Sequence, residues 1–347
     1  MGDTFPRFKA AAVQVAPVYL DREATIAKAC RIIEEAGDNG ARVISFPECY
    51  IPAFPDWFHF YPAKHRVCAR CNIELFKNAV VVPSPATDQI GRAARKAGMC
   101  VALGVNEKDP NSYGTMYNTL VFFGPDGELL GKRRKIVPTL TERLVHTGGD
   151  GSTLRVFQTP YGGFSGLICG ENTNSLAKFT LLASGEVINA SAWPAFGLKT
   201  DAGMFDAIDI RTRALAYEGK IFVLSSSGVF TEEMKDALDL DEPLRSEFAG
   251  DGGHATIVNP RGQIIAGPIS GEGIVYADLD LEEIVAGKFL HDVIGHYNRF
   301  DIFHLKIDRR PRQRLYTVDG APSQASEVPR PAAGDGPENV EQRALGD

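Results

Sequence analysis

A thiol and a carboxylate each follow an apolar stretch of this 347-residue chain, and an ammonium group lies in a third segment that reads as a strand end. Cys169 ends the run 164–168, Glu48 ends the run 43–47, and Lys135 lies within the segment 131–138. Short apolar runs of this kind are typical of buried strands, so each group is expected at a strand end. Together they can supply a nucleophile, a base and a cation that stabilises developing negative charge. The pattern predicts an enzyme that uses covalent cysteine catalysis.

The elements that must position these groups alternate between strands and helices. Continuously apolar runs predict strands at 8–15, 41–46, 100–106, 187–192 and 220–226, and helical spacing predicts helices after Asp21 and at 88–98, 175–184 and 203–218. Turn residues at 125–127, 161–163 and 260–262 predict three hairpins. Because most strands are apolar on both faces, each sheet must be covered by helices on one side and by a second sheet on the other. The predicted fold is therefore α/β, a four-layer α-β-β-α sandwich.

Charge and composition narrow the class of protein. Lysine and arginine number 37 against 44 acidic residues, a net charge of −7, and six of those acids lie in residues 318–347. Nothing in this balance favours a nucleic-acid partner or a membrane surface. There is no apolar run of transmembrane length, and residues 1–9 lack a signal-peptide pattern, so a cytoplasmic location is expected. We expect one catalytic domain over 1–310 and a largely disordered tail over 311–347, which is rich in Pro, Gly, Ala and acids.

The cysteines and histidines outside this set favour structural roles. Cys68 and Cys71 have the spacing of a zinc or redox pair, but no second pair accompanies them. His146, His291 and His296 are also expected to be structural, because Glu48 and Lys135 already provide a base and a cation. The sequence predicts neither a metal site nor a cofactor.

Three motifs, in a fixed order, link the chain to a known family. They are Phe-Pro-Glu at 46–48, Arg-Lys-Ile-Val-Pro-Thr at 134–139 and Ile-Cys-Gly-Glu at 168–171. In order and strand context they resemble the nitrilase superfamily of carbon–nitrogen hydrolases, over residues 7–305. The segments 134–151 and 292–301 resemble its nitrilase branch.

This resemblance implies the α-β-β-α sandwich and hydrolysis of a small-molecule nitrile to a carboxylic acid and ammonia. It also implies a homodimer or a larger spiral homo-oligomer, and it places Glu142 in the site beside Glu48, Lys135 and Cys169. Two positions depart from the family pattern. Gly170 stands where many relatives have a bulky residue, and Asn172 stands where relatives acting on cyanide or arylacetonitriles commonly have histidine.

The chemistry expected of these residues proceeds through covalent intermediates. Glu48 takes the thiol proton, Cys169 attacks the nitrile carbon to form a thioimidate, and Lys135 stabilises the developing charge. Water then releases ammonia and leaves a thioester, which a second water hydrolyses. An amidase, a nitrile-to-amide hydratase with the same triad, and an inactive scaffold remain as alternatives.

The residues that contact the substrate are less well determined by the sequence. Phe54 and Trp57 lie in an aromatic loop, 50–61, which is either a substrate wall or a dimer contact. Trp193 ends a strand and is a further candidate for the substrate wall, and the backbone N–H of Gly170 is a candidate hydrogen-bond donor. Glu171 is either catalytic or a carboxylate that shapes the turn after Cys169.

Overall fold

The computed structural model describes residues 2–313 and 315. Within them the chain forms twelve β-strands: β1 Arg7–Gln14, β2 Ala41–Ser45, β3 Cys100–Lys108, β4 Met116–Phe123, β5 Leu129–Arg134, β6 Phe157–Thr159, β7 Gly162–Ile168, β8 Glu186–Trp193, β9 Phe222–Ser227, β10 Thr256–Val258, β11 Ile264–Ala266 and β12 Gly273–Asp280. Nine α-helices connect them: α1 Arg22–Asp38, α2 Trp57–Phe60, α3 Arg66–Asn78, α4 Pro85–Ala97, α5 Ser175–Ala183, α6 Met204–Gly219, α7 Glu232–Ala237, α8 Glu242–Arg245 and α9 Glu282–Leu290.

The strands form two sheets, which are joined to each other by the pairing of one residue from each. One sheet has the order β5-β4-β3-β2-β1-β12, and the other has the order β6-β7-β8-β9-β10-β11. The sheets are joined where Gln14 of β1 pairs with Ser227 of β9. The arrangement is two six-stranded sheets whose backbones pair at one corner.

The buried side chains show that these sheets face each other. One apolar cluster draws on both sheets, with Ala12 and Phe122 from one and Phe164 and Leu224 from the other. A second cluster packs the outer face of the first sheet against α1 and α4, and a third packs the outer face of the second sheet against α5 and α6. The order of layers is helix, sheet, sheet, helix, which confirms the predicted four-layer sandwich.

Local sequence explains where the outer helices begin and end. The Asp21 carboxylate accepts a hydrogen bond from the Ala24 N–H at the start of α1. At α4, the Thr87 hydroxyl accepts from the Ser84 N–H, and Gly98 ends the helix with φ of 61°. These are the polar caps and the left-handed glycine that helix ends require. Helix α3, by contrast, was not predicted.

Among the described residues, those up to Arg310 form one compact unit. The predicted disorder of the tail concerns residues that lie outside the described part of the chain, apart from 311–313 and 315. Among the described helices, none combines the length and apolar character needed to cross a bilayer.

Candidate active site

Three of the predicted site residues lie at one edge of the sheets. Glu48 follows β2 by three residues, Lys135 follows β5 directly, and Cys169 follows β7 directly. Strand β2 is parallel to β3, and β4 reverses the direction so that β5 again runs with β2. Strands β7, β8 and β9 are parallel to one another, and β9 is parallel to β1. The carboxyl ends of β2, β5 and β7 therefore point the same way, and this places the three groups together.

The Lys135 ammonium lies between two carboxylates. Its Nζ is 2.7 Å from Glu48 Oε1 and 2.5 Å from Glu142 Oε2, and all three side chains are buried. Glu142 is carried by a 3₁₀ helix, Leu140–Leu144, where its Oε2 also accepts a hydrogen bond from the Thr139 N–H. Buried charges are tolerated only when they are paired and hydrogen-bonded, and this arrangement meets both conditions.

Asn118 joins the two carboxylates, and the sequence analysis did not identify it. Its Nδ2 donates to Glu48 Oε1 at 2.6 Å and to Glu142 Oε1 at 2.8 Å. The signal that could have found it is a polar amide within β4, a strand whose eight residues are all buried. A buried amide in an apolar strand must find partners, and here the partners are the two carboxylates.

One carboxylate oxygen of Glu48 is not engaged by the described residues and can accept a proton. Its Oε1 takes the hydrogen bonds from Lys135 and Asn118, while Oε2 is buried and has no hydrogen-bond partner among the described residues. Burial raises the pKa of Glu48 to about 7; the Lys135 charge opposes this rise, and Glu142 adds to it. A carboxylate of this basicity can accept a proton from a thiol.

Cys169 turns the chain sharply at the end of β7. It opens a 3₁₀ helix, Cys169–Thr173, with φ of 51°, in the left-handed region that side chains with a Cβ rarely adopt. Burial raises the pKa of its thiol, the charges of Glu48 and Glu142 raise it further, and Lys135 acts in the opposite direction. The resting group is a thiol, so a thiolate forms only as a base removes the proton.

Glu142 differs from Glu48 in its ionisation. Burial raises its pKa, but contacts with His146 and Lys135 outweigh burial and bring the pKa to about 2. Glu142 is thus a permanent anion, whereas Glu48 titrates near neutral pH. Two carboxylates whose environments separate their pKa values in this way can divide the roles of anchor and base.

A family model for carbon–nitrogen hydrolases matches residues 9–289. "Nitrilase 3" from an unknown prokaryotic organism is 39% identical over 94% of this chain and 99% of its own length. An "Aliphatic nitrilase" from Sinorhizobium fredii (strain HH103) is 38% identical over 90% of this chain and 99% of its own. The chain belongs to the nitrilase branch of the carbon–nitrogen hydrolase family.

Two solved structures share the fold. The Saccharomyces cerevisiae Nit3 protein, described as a member of branch 10 of that superfamily, superposes with a TM-score of 0.64 at 24% identity, covering 83% of this chain and 95% of its own. The C. elegans NitFhit protein has a TM-score of 0.69 at 18% identity and covers 92% of this chain and 72% of its own. At these identities the likeness supports the architecture alone.

Glu171, the acid of the motif at 168–171, contacts two backbone N–H groups and an arginine. Its Oε1 accepts from the Ile136 N–H at 2.6 Å, and its Oε2 accepts from the Ile168 N–H at 3.1 Å. Arg133 Nη1 lies 2.9 Å from Oε2, and both side chains are buried. These contacts tie the segment after β5 to the turn at Cys169, as expected of a carboxylate that shapes the turn.

The predicted substrate-contacting residues lie in different surroundings. Phe54 lines a small cavity beside Glu48, together with the buried Asp56, whose Oδ1 has no hydrogen-bond partner among the described residues. Gly170 lines a second cavity, of about 340 Å³, with Thr139.

The two tryptophans are fully buried. Trp57 packs with α3 side chains such as Cys71, and the Trp193 indole donates to Ser225 Oγ at 3.0 Å. The Trp193 carbonyl accepts from the Glu48 N–H at 3.3 Å, so its backbone supports the base.

The aromatic loop, residues 50–61, folds back onto its own chain. Most of its residues from 50 to 57 are buried, and Trp57 belongs to a cluster that includes Val67, Cys71 and Leu75. Cys68 and Cys71 are free, buried thiols of this cluster. In the described residues no group of three histidine, cysteine or acidic side chains could hold a metal ion.

Proposed function

We propose that this protein is a nitrilase, which hydrolyses an organic nitrile to the carboxylic acid and ammonia through a covalent intermediate on Cys169. The observation that carries the proposal is the buried Glu48–Lys135–Glu142 cluster at the strand edge where Cys169 turns the chain. Relatives named nitrilases that are 36–39% identical over about nine-tenths of the chain favour nitriles over other carbon–nitrogen bonds.

In the first half of the proposed reaction, the Cys169 sulfur bonds to the nitrile carbon. Glu48 Oε2 takes the thiol proton and passes it to the nitrile nitrogen as the triple bond becomes a double bond. The product is a neutral thioimidate. Lys135 stabilises negative charge as it develops on the nitrogen, and preorganised donors of this kind lower the barrier because they need no reorganisation.

In the second half, Glu48 acts as a base towards water. Water adds to the thioimidate carbon, and the tetrahedral intermediate expels ammonia after the nitrogen has been protonated. The remaining thioester takes up a second water, and the carbon–sulfur bond breaks to release the acid and restore the thiol. Two waters are consumed for each ammonia and acid formed.

A panel of aliphatic, aromatic and arylacetonitriles, each paired with its amide, tests the proposal. We expect ammonia and acid from at least one class of nitrile, at a higher kcat/KM than from the matching amide. Faster turnover of the amides would favour an amidase, and amide as the main product would favour a hydratase. No turnover of any substrate would favour an inactive scaffold.

The acid side of the pH–activity profile is expected to follow Glu48. Burial raises its pKa to about 7, and only the ionised carboxylate accepts the thiol proton. Activity should therefore be present above this pKa and lost as the pH falls through about 7. The profile of kcat/KM reports the free enzyme. A profile that stays flat down to about pH 5, near the ordinary range of glutamate, would contradict the assignment.

For the substrate pocket we retain Phe54, Trp57, Trp193 and Gly170 as proposals. Phe54 and Gly170 have the better support, because each lines a cavity next to a site residue. A Cβ added at Gly170 would lie 3.3 Å from Thr139 Oγ1, so Gly170→Ala is a small, local change. A shift in the order of preferred nitriles for this variant would support a position in the pocket, and an unchanged order would argue against it.

We also propose that subunits assemble through the segment 292–301 and the end of α9. Phe289 is 82% exposed and Tyr297 is 63% exposed, and exposed apolar patches mark association surfaces. The double change Phe289→Asp and Tyr297→Asp should lower the mass measured by sedimentation velocity. The control is Tyr113→Asp, at a fully exposed position elsewhere. An unchanged mass for the double variant would remove this surface from the assembly.

We also propose a homodimer or larger spiral, a cytoplasmic location and a domain boundary at residue 310. Cell fractionation tests the location. The activity of a chain ending at residue 317 tests whether the body alone is the catalytic domain.

A further inference from the structure

A buried histidine adjoins the catalytic cluster, and the mechanism above does not use it. His146 follows the 3₁₀ helix that carries Glu142, and its side chain is fully buried. Its backbone N–H donates to the Glu142 carbonyl at 2.7 Å, and the residue pairs with Met116 next to the start of β4. The position of its ring is therefore set by the same segments that position Glu142 and Asn118.

One ring nitrogen faces Asn106. His146 Nε2 lies 2.8 Å from Asn106 Oδ1. The Asn106 amide is oriented by its Nδ2, which lies within hydrogen-bonding distance of the carbonyls of Cys49, Ile51 and Ala53, at 3.4, 3.1 and 2.8 Å. Turning the amide over would set its oxygen against three carbonyl oxygens. Asn106 therefore presents an acceptor to His146, and Nε2 must donate.

The other ring nitrogen faces the catalytic cluster. His146 Nδ1 lies 3.3 Å from Glu142 Oε1, although it makes no well-aligned hydrogen bond within the described residues. A nitrogen lone pair against a carboxylate oxygen is repulsive, whereas an Nδ1–H would donate to it. Hydrogen bonds in active sites are often long or poorly aligned before substrate binds, and they tighten in the reacting complex.

We propose that His146 is a positioning residue of this site. Its imidazole holds the Glu142 carboxylate through Nδ1 and Asn106 through Nε2. Glu142 in turn holds the Lys135 ammonium, and Asn106 holds the chain at 49–53, directly after Glu48. One buried ring thereby helps to position Lys135 and Glu48, the two groups that act on Cys169.

The charge of the ring follows from these contacts. Both nitrogens face oxygen acceptors, so the arrangement is complete when both carry a proton. Burial lowers the pKa of His146 below its usual value, and Lys135 adds to this fall, although the Glu142 carboxylate opposes it. A second proton on the ring therefore depends on contact with an ionised Glu142, which makes His146 and Glu142 an interdependent pair.

Two amide substitutions can separate the two contacts. The Nδ2 of asparagine falls near the position of the histidine Nδ1, so His146→Asn keeps a donor towards Glu142. The amide of glutamine reaches towards the position of Nε2, so His146→Gln keeps only the contact with Asn106. His146→Phe removes both contacts while it fills the space.

This proposal rests on the proposed nitrilase function, and the first measurement is kcat and KM on the best nitrile. We expect His146→Gln and His146→Phe to lose about tenfold to a hundredfold in kcat, the range for a lost hydrogen bond to a charged group. KM should change little, and His146→Asn should recover most of kcat. Equal activity in all variants, or an asparagine variant as slow as the phenylalanine variant, would overturn the proposal.

A second measurement separates this proposal from the nitrilase assignment. Iodoacetamide alkylation of Cys169, followed by mass spectrometry of its peptide, reports activation of the thiol without turnover. It should be slowed in the glutamine and phenylalanine variants and restored in the asparagine variant, even if no nitrile is a substrate. Unchanged alkylation across the set would overturn the positioning role.

The control for general loss of a buried histidine is His254→Phe. His254 pairs with Asp209 at 2.9 Å, away from the Glu142 contact. We expect its kcat to stay within about twofold of the parent, the change allowed for a residue that does not act on the transition state. A loss as large as that of His146→Phe would show that the effect is not specific to the cluster.

Discussion

Replacing Cys169 by alanine is expected to abolish ammonia release from nitriles and to leave the fold intact. A methyl group cannot form the thioimidate, and the remaining groups cannot hydrolyse a nitrile without a nucleophile of this strength. Cys169 has φ of 51°, and alanine meets the same backbone constraint because it also has a Cβ, so no new strain arises. Ammonia release, circular dichroism and thermal unfolding measure the outcome.

The matched control for this variant is Cys30→Ala, at a partly exposed free cysteine of α1. It should keep the parent kcat, since Cys30 lies on the helix layer and not at the strand edge. Turnover by Cys169→Ala above a trace level would contradict the covalent mechanism.

Lys135→Met is expected to produce the second largest loss, in both rate and stability. The change leaves Glu48 and Glu142 buried without the cation that lies 2.7 Å and 2.5 Å from them. Loss of a preorganised charge donor costs about a hundredfold to a thousandfold in kcat. Breaking a buried ion pair by removing one partner costs about 3–5 kcal/mol in the free energy of unfolding.

Lys132→Met is the control for this variant, because Lys132 lies in β5, the strand that Lys135 directly follows. Its ammonium pairs with Glu107, which keeps Arg134 as a second partner when Lys132 is lost. Urea unfolding and kcat on the best nitrile measure both variants. A Lys135→Met enzyme with the parent kcat would remove the ammonium from the mechanism, and equal loss in Lys132→Met would make the effect non-specific.

The four adjacent cations at 132–135 show where sequence reasoning reaches its limit. Such a run is usually a solvated face, yet Arg133 and Lys135 are fully buried, while the partly exposed Lys132 and Arg134 share the buried Glu107. Strand alternation predicts two faces for the run. It does not show that both faces meet carboxylates, because Glu107, Glu142 and Glu171 come from other segments of the chain.

The aromatic loop illustrates a second limit. Its composition requires that the aromatic area be buried, and the sequence left open whether a substrate or a second subunit covers it. The structure packs Trp57 against α3, a helix that the sequence analysis did not predict. What covers the loop depends on helix α3, and so the residue pattern of the loop itself could not decide it.

The sequence by itself determined the layered fold and the family, and it predicted the site of Glu48, Lys135 and Cys169, to which the family resemblance added Glu142. Strand patterning and motif order are local properties, and the chain direction of each strand decides which edge its last residue reaches. Only the tertiary structure decided how the charges are partnered. Asn118 bridges two carboxylates, 70 and 24 residues away in the chain, which come within hydrogen-bond distance only after the strands have paired. Glu48 keeps one oxygen without a hydrogen-bond partner among the described residues, and His146 faces Glu142, four residues before it.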